Sequence, residues 1–365
     1  MSLNFRFAIV SDLHIALPHT IWNHPTRFHL VEVSIPALEI VLEHLAQLKL
    51  DFLLIPGDLT QHGEPDNHAW LQERLQKLPF PAYVIPGNHD VPNLLSDGQS
   101  IALADFPNYY GKFGYDKPEQ LYYTCEVLPG VRIIGLNSNS FDQQGQQIGR
   151  LDDTQLEWLR GVLATTDDLV LVMVHHNVVE HLPNQSRHVL GRRYMLENAP
   201  DLLQLLREFG VQLVFTGHLH VQDIAYCDRV YDITTGSLVS YPHPYRVLQF
   251  EQVKHGRKCL QIESHRVQSV PDWPTLQQTS RQWMGDRSVP FMLKLLTQPP
   301  LNLPQDEAEK LAPRLRNFWA DIASGDALFD FPDFPHRARR YFEKYSAIAP
   351  DGNPTLIDNN TTLLL

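Results

Sequence analysis

Five short polar clusters hold most of the chemistry available to this chain. They are Asp12-Leu13-His14, Gly57-Asp58, Gly87-Asn88-His89-Asp90, His175-His176 and Gly217-His218-Leu219-His220. Carboxylate, imidazole and amide carbonyl together form a donor set that suits borderline divalent ions such as Fe, Mn, Co or Zn. Asp12 and His14 stand two apart, as do His218 and His220, so each pair can turn toward one ion. Asp58 carries two oxygens and can bridge two ions. Glycine before Asp58, Asn88 and His218 suits sharp exits where a side chain would obstruct the backbone. One such cluster is weak evidence, because buried histidines are commonly hydrogen-bonded core residues. Five in one chain point to a shared metal site.

Each cluster follows a short apolar run. Phe5–Val10, Phe52–Ile55, Ala82–Ile85, Leu169–Val174 and Val211–Phe215 precede them, and Val131–Leu136 is a further run of the same kind. Their length and Val/Ile/Leu content predict buried strands. Between them lie helical patterns. One is capped by Ser34 with Leu38, Val41, Leu42, Leu45 and Leu48 on one face, and a second is capped by Asp153 with Leu156 and Leu159 inward. A third, Leu202–Phe209, stops at Gly210. This alternation predicts an α/β fold, in which ligands gather outside the carboxyl ends of the strands. Beyond about residue 266 prolines crowd the chain. Thr275–Met284, Pro290–Leu296 and Gln305–Ile322 read as helices there, and Gly352–Leu365 as an extended tail. The expected organisation is a catalytic domain over 1–265 and a helical C-terminal extension over 266–365.

The 365 residues are 43% hydrophobic and carry a net charge of −12. That is a soluble globular composition without the basic surface needed to grip a nucleic-acid polymer. It remains compatible with a phosphate substrate, since bound cations would supply the local positive charge. Three unpaired cysteines, no signal pattern and no apolar stretch near the ~20 residues of a membrane helix predict a cytoplasmic protein. No nucleic-acid polymer or membrane is expected as a partner, and a homo-oligomer is compatible with the sequence.

The order DxH, GD, GNHD, H, GHxH from Asp12 to His220 resembles the calcineurin-like metallophosphoesterase superfamily. The segments Gly57–Asp90 and Asn137–Leu159 are similar to its class III cyclic nucleotide phosphodiesterase and glycerophosphodiesterase branch. The resemblance covers about residues 5–255 and implies a four-layer αββα sandwich of two mixed sheets. It implies Asp12, His14, Asp58 and His220 around one divalent ion, and Asp58, Asn88, His175 and His218 around another. His175 is preferred to His176 on the family pattern alone, and Fe, Mn and Zn all remain open as the native ions. His89 would act as proton donor or charge stabiliser at the phosphate, with Asp90 behind it. Where relatives often read HHPP, this chain reads His175-His176-Asn177-Val178, which alters the neighbouring loop.

The activity so implied is in-line attack of a metal-bridging hydroxide on small phosphodiesters, cyclic nucleotides first. A phosphomonoesterase on the same site and a non-catalytic metal-binding scaffold are the alternatives. Leu59-Thr60-Gln61-His62-Gly63 lacks the arginine of the Ser/Thr protein phosphatase branch. His19, His24, His62, His176 and Arg150 are additional substrate-contact candidates, although such residues are more commonly solvated loop positions.

Overall fold

The computed structural model describes residues 3–22, 27–188, 191–252, 256–349 and 351–365. Along the first half run β1 (Asn4–Ile9), α1 (Ser34–Gln47), β2 (Phe52–Ile55), α2 (Pro65–Leu75), β3 (Ala82–Val84), α3 (Phe106–Tyr109), β4 (Tyr123–Leu128), β5 (Val131–Gly135), β6 (Asn139–Phe141), β7 (Gln147–Gly149) and α4 (Asp153–Leu163). Then come β8 (Leu169–Met173), α5 (Ala199–Glu208), β9 (Leu213–Thr216), β10 (Asp223–Cys227), β11 (Val230–Thr234), β12 (Pro244–Gln252) and β13 (Lys258–Arg266). The remainder forms α6 (Leu276–Thr297), α7 (Gln305–Leu311), α8 (Phe318–Ala323), α9 (His336–Glu343) and β14 (Thr361–Leu364).

Two mixed six-stranded sheets result, in the orders β14-β13-β12-β1-β2-β3 and β10-β11-β9-β8-β5-β4. The two-residue period of a strand decides how they stack. In β8, Leu171 and Met173 enter the core between the sheets, while Val170 and Val172 enter the outer core beneath α4 and α5. On the opposite side, Leu38, Val41, Leu42 and Leu45 of α1 join the core of the first sheet. The layers are therefore helices, sheet, sheet, helices. Phe7 of β1 meets Phe215 of β9 edge-on at 5.7 Å and locks the sheets face to face.

Several local features depart from the sequence reading. Ser34 opens α1 without capping it; its hydroxyl accepts the Ala16 N–H at 3.2 Å. Asp152, one residue before the expected cap, accepts the Gln155 N–H at 2.7 Å. Thr275–Met284 and Pro290–Leu296 are parts of one helix, α6, which runs through Pro290. The extended tail ends in a strand, because β14 pairs antiparallel with β13 and covers its open backbone groups. Arg246, fully buried, donates to the carbonyls of Asp358 at 2.6 Å and Thr234 at 2.9 Å, pinning that tail to both sheets.

The helices after Arg266 build a third core from residues such as Met292, Leu296, Leu315, Phe318 and Phe342. That core also takes in Leu219 and Val221, which flank His220. The extension thus packs directly behind the last histidine cluster.

Candidate metal centre

β1, β2 and β3 run parallel, as do β5, β8 and β9, so the clusters that follow them leave at matching ends. Five of the cluster residues adopt left-handed backbone: Asp12 (φ 52°), His14 (42°), Asp58 (51°), His218 (68°) and His220 (59°). Each such non-glycine residue costs of order 1–3 kcal/mol, and strain of this kind gathers at functional sites. Two glycines make the close approach feasible. A Cβ on Gly57 (φ +97°) would stand 2.4 Å from His175 Nδ1, and one on Gly87 would stand 2.2 Å from Asp58 Oδ1.

The donor atoms fall into two groups that share Asp58. Asp12, His14, Asp58 and His220 offer ligand atoms within 4.8 Å of one another, and so do Asp58, His175 and His218. In the first group His220 Nε2 lies 3.0 Å from Asp12 Oδ1 and 3.3 Å from His14 Nε2, while His14 Nε2 lies 3.6 Å from Asp58 Oδ2. In the second, His175 Nε2 lies 3.4 Å from Asp58 Oδ1 and 3.2 Å from Asn88 Oδ1. All seven expected ligands therefore meet in one place.

Outer contacts select which nitrogen each ring offers, as hydrogen-bond partners of metal-ligating histidines do. His175 Nδ1–H donates to the Pro56 carbonyl at 2.8 Å, which turns Nε2 toward Asp58 and Asn88. His218 Nε2–H donates to the Arg193 carbonyl at 3.2 Å, leaving Nδ1 free. Asp58 Oδ2 is buried without a hydrogen-bond partner. A buried carboxylate oxygen left so is costly unless a cation faces it, and the mixed O/N donor set fits a divalent ion. Burial opposes ionisation of Asp58, yet the charge and hydrogen bond of His175 hold it well below its usual value. Burial likewise disfavours charge on His175, but Asp58 outweighs it and raises the imidazole to about 9.

His89 and Asp90 take different places. The His89 ring lines the cavity, with Nδ1–H donating to the Gln61 carbonyl at 2.7 Å. Asp90 is fully buried behind the loops. One oxygen accepts the amides of Leu59 (3.0 Å) and Gly87 (2.8 Å), and the other accepts the amide and hydroxyl of Thr60 (2.8 and 3.0 Å). Asp90 therefore ties the Asp58 loop to the Asn88 loop, and the Gln61 carbonyl rather than Asp90 orients His89. Burial and the Asp58 charge push Asp90 up to about 7 despite those donors.

Of the additional candidates, His62 stacks on His89 with centroids 5.2 Å apart and is lowered by burial to about 4. His176 pairs through Nδ1 with the Ser138 hydroxyl at 2.8 Å, and burial followed by His175 lowers it to about 3. His19 is exposed beside Asp66 at 3.1 Å, Arg150 is exposed, and His24 lies outside the described residues. In the altered His175–Val178 segment, Asn177 is buried and donates to the Thr216 hydroxyl at 3.0 Å.

Sequence reasoning missed His29. It follows no strand and belongs to no spaced motif, so only the high histidine count could have drawn notice. It also missed the cavity wall. The cavity over the centre has a volume of about 720 Å³, and residues of the extension, including Phe291, Trp319 and Tyr345, line it beside His89 and His220.

A family model described as calcineurin-like phosphoesterase matches residues 5–222. A "probable cyclic nucleotide phosphodiesterase" of Synechococcus sp. is 30% identical over 223 residues, 60% of this chain and 74% of its own length. A "probable glycerophosphodiester phosphodiesterase" of Arcobacter nitrofigilis is 28% identical over 235 residues, 62% and 76% of the two chains. A dimetal phosphatase from Danio rerio superposes with a TM-score of 0.52 at 16% identity, covering 72% of this chain and 96% of that one. That last likeness concerns the fold alone. Among the described residues, no helix is long and apolar enough to cross a membrane.

Proposed function

This chain belongs to the calcineurin-like phosphoesterase family, and on that premise we propose that it is a metal-dependent phosphodiesterase of small diesters, cyclic nucleotides foremost. The observation that carries the reading is the division of the Asp58 carboxylate. Oδ2 faces His14 at 3.6 Å while Oδ1 faces His175 at 3.4 Å, as expected of one carboxylate shared by two cations. Asp12, His14, Asp58 and His220 would hold one ion, and Asp58, Asn88, His175 and His218 the other. A pair of divalent ions supplies a deprotonated water near neutral pH and stabilises charge on the attacking and leaving oxygens.

The chain's own residues supply the rest. His89, its Nδ1 committed to Gln61, presents Nε2 to the cavity, where it can protonate the leaving alkoxide or hydrogen-bond a developing oxyanion. Asp90 holds the Asp58 and Asn88 loops in register. Residues 1–265 would form the catalytic domain, and the extension would close one side of the cavity. We place the enzyme in the cytoplasm on its unpaired cysteines.

The test is hydrolysis of bis-p-nitrophenyl phosphate with and without Mn²⁺, beside the p-nitrophenyl monoester and 3′,5′- and 2′,3′-cyclic AMP. Metal-dependent turnover that favours diesters and includes a cyclic nucleotide is the expected result. Monoester preference would make the protein a phosphatase on the same site. Metal-loaded protein inert toward every ester would leave a binding scaffold.

A further inference from the structure

His29 stands inside the ring of histidines at the centre although it belongs to none of the five clusters. Its imidazole stacks on His14 with centroids 4.4 Å apart and planes 26° from parallel. It lies edge-on to His220 at 4.7 Å and to His89 at 5.7 Å. A ring nitrogen of His29 comes within 4.8 Å of those of His14 and His220. The carboxylates of Asp12 and Asp58 group with His14 and His220 but not with His29. His29 therefore adjoins the first group at His14 and His220, and it lines the cavity there.

Three rings of the centre are tied down, His175, His218 and His89 each by a backbone carbonyl, whereas His14 keeps an unpartnered Nδ1 but turns its Nε2 toward Asp58 and His220. Among the described residues, none hydrogen-bonds His29, and its Nδ1 is buried without a partner. The ring lines the cavity, so its remaining nitrogen, Nε2, is the one left for a ligand. Coordination of the first ion is the poorer use of it. A nitrogen lone pair lies in its ring plane and reaches a metal at ~2.0–2.1 Å. Two rings stacked 26° from parallel cannot both point an in-plane lone pair at one ion. A hydrogen bond to a substrate oxygen in the cavity has no such conflict.

We propose that His29 is a substrate-binding residue whose ring N–H donates to a non-bridging phosphoryl oxygen, beside His89. The inference rests on the phosphoesterase reading of the site and names a contact that the five motifs do not contain. His14 and His220 would hold the ion, while His29 and His89 would donate to the phosphoryl group from adjoining edges of the cavity.

The experiment uses full-length protein loaded with Mn²⁺, as wild type, His29→Ala and His29→Gln. Calorimetry measures binding of inorganic phosphate, elemental analysis gives the metal content, and bis-p-nitrophenyl phosphate turnover is followed separately. We expect unchanged metal content in all three proteins. Phosphate should bind about 10- to 100-fold more weakly in His29→Ala, the loss of one hydrogen bond to a charged group. His29→Gln, which keeps an N–H donor, should recover part of the affinity, and KM should rise more than kcat falls. Unaltered phosphate affinity in His29→Ala overturns the proposal, as does absence of phosphate binding by the metal-loaded wild type. A matching loss of metal also overturns it and makes His29 a ligand. If wild type turns over no ester yet binds phosphate through His29, the catalytic reading falls and this contact stands.

Discussion

The Nδ1–H of His89 points at the carbonyl oxygen of Gln61 from 2.7 Å, which fixes the orientation of the ring, and the imidazolium then carries its second proton on Nε2. Nε2 is thereby left for the substrate side of the cavity. Replacing His89 with Ala removes a proton donor without touching any of the seven expected ligands. Metal content should stay at the wild-type level while kcat falls by about 10²- to 10⁴-fold. Elemental analysis beside steady-state kinetics checks both halves, and loss of metal would make His89 a structural residue of the site.

Asp90 works through the loops. Asn in its place puts an amide against an array of N–H and O–H donors, leaving at least one of them without an acceptor. Asp90→Asn should cost about 1–3 kcal/mol in stability, the penalty of a buried unsatisfied group, and should weaken metal binding by loosening the Asp58 and Asn88 loops. Thermal unfolding and Mn²⁺ titration read these effects. A variant with wild-type stability and metal affinity but no turnover would place Asp90 in the chemistry itself.

His181 offers a pH signature away from the centre. Its side chain is inaccessible to solvent, with Nδ1 2.6 Å from Asp223 Oδ2 and Nε2 3.3 Å from Asp232 Oδ2. Burial opposes its protonation, but Asp232 and then Asp223 outweigh it and raise the imidazole to about 10. The folded state therefore holds this proton more tightly than the unfolded chain, where histidine titrates near ~6.5. The stabilisation is fully present below that value and is lost as pH climbs toward about 10. His181→Gln should be destabilised by about 3–5 kcal/mol at neutral pH, the cost of stranding a buried charge. The gap from wild type should narrow through the alkaline range. Urea melts at several pH values test it, and a gap independent of pH contradicts the ion pair.

The extension is expected to act on substrate affinity. Trp319 meets Phe291 edge-on at 6.2 Å, and both line the cavity though neither belongs to a metal cluster. Trp319→Ala should raise KM for the preferred diester several-fold, with kcat within about twofold, as loss of uniform binding requires. Equal KM in the two proteins would reduce the extension to packing. Deleting everything after residue 268 is a poorer test, because it uncovers Leu219 and Val221 and removes β14 from the first sheet.

Much of this architecture was legible from the order of residues. The runs that became β1, β2, β3, β5, β8 and β9 are short, mostly apolar and largely buried, so composition alone marks them. The clusters after them could be read because DxH, GD, GNHD and GHxH are contiguous in the chain. The glycines carried information for the same local reason, since Gly57 and Gly87 stand where a Cβ would strike His175 or Asp58.

What only the tertiary structure decided involves partners far apart in sequence. The carbonyl that aims His89 belongs to Gln61, 28 residues earlier, and a carbonyl has no sequence signature. His29 became part of the centre because the chain after β1 folds back onto His14. Ser34 lost its capping role to a loop amide 18 residues away. β14 became a strand because β13 had a free edge, and the extension became a cavity wall because Leu219 and Val221 needed covering. Sequence alone determines residue type, periodicity and contiguous motifs, since these depend on neighbours along the chain. Closure of long loops decides which imidazole, carbonyl or aromatic ring arrives beside the metal centre, and that depends on packing energy summed over the whole fold.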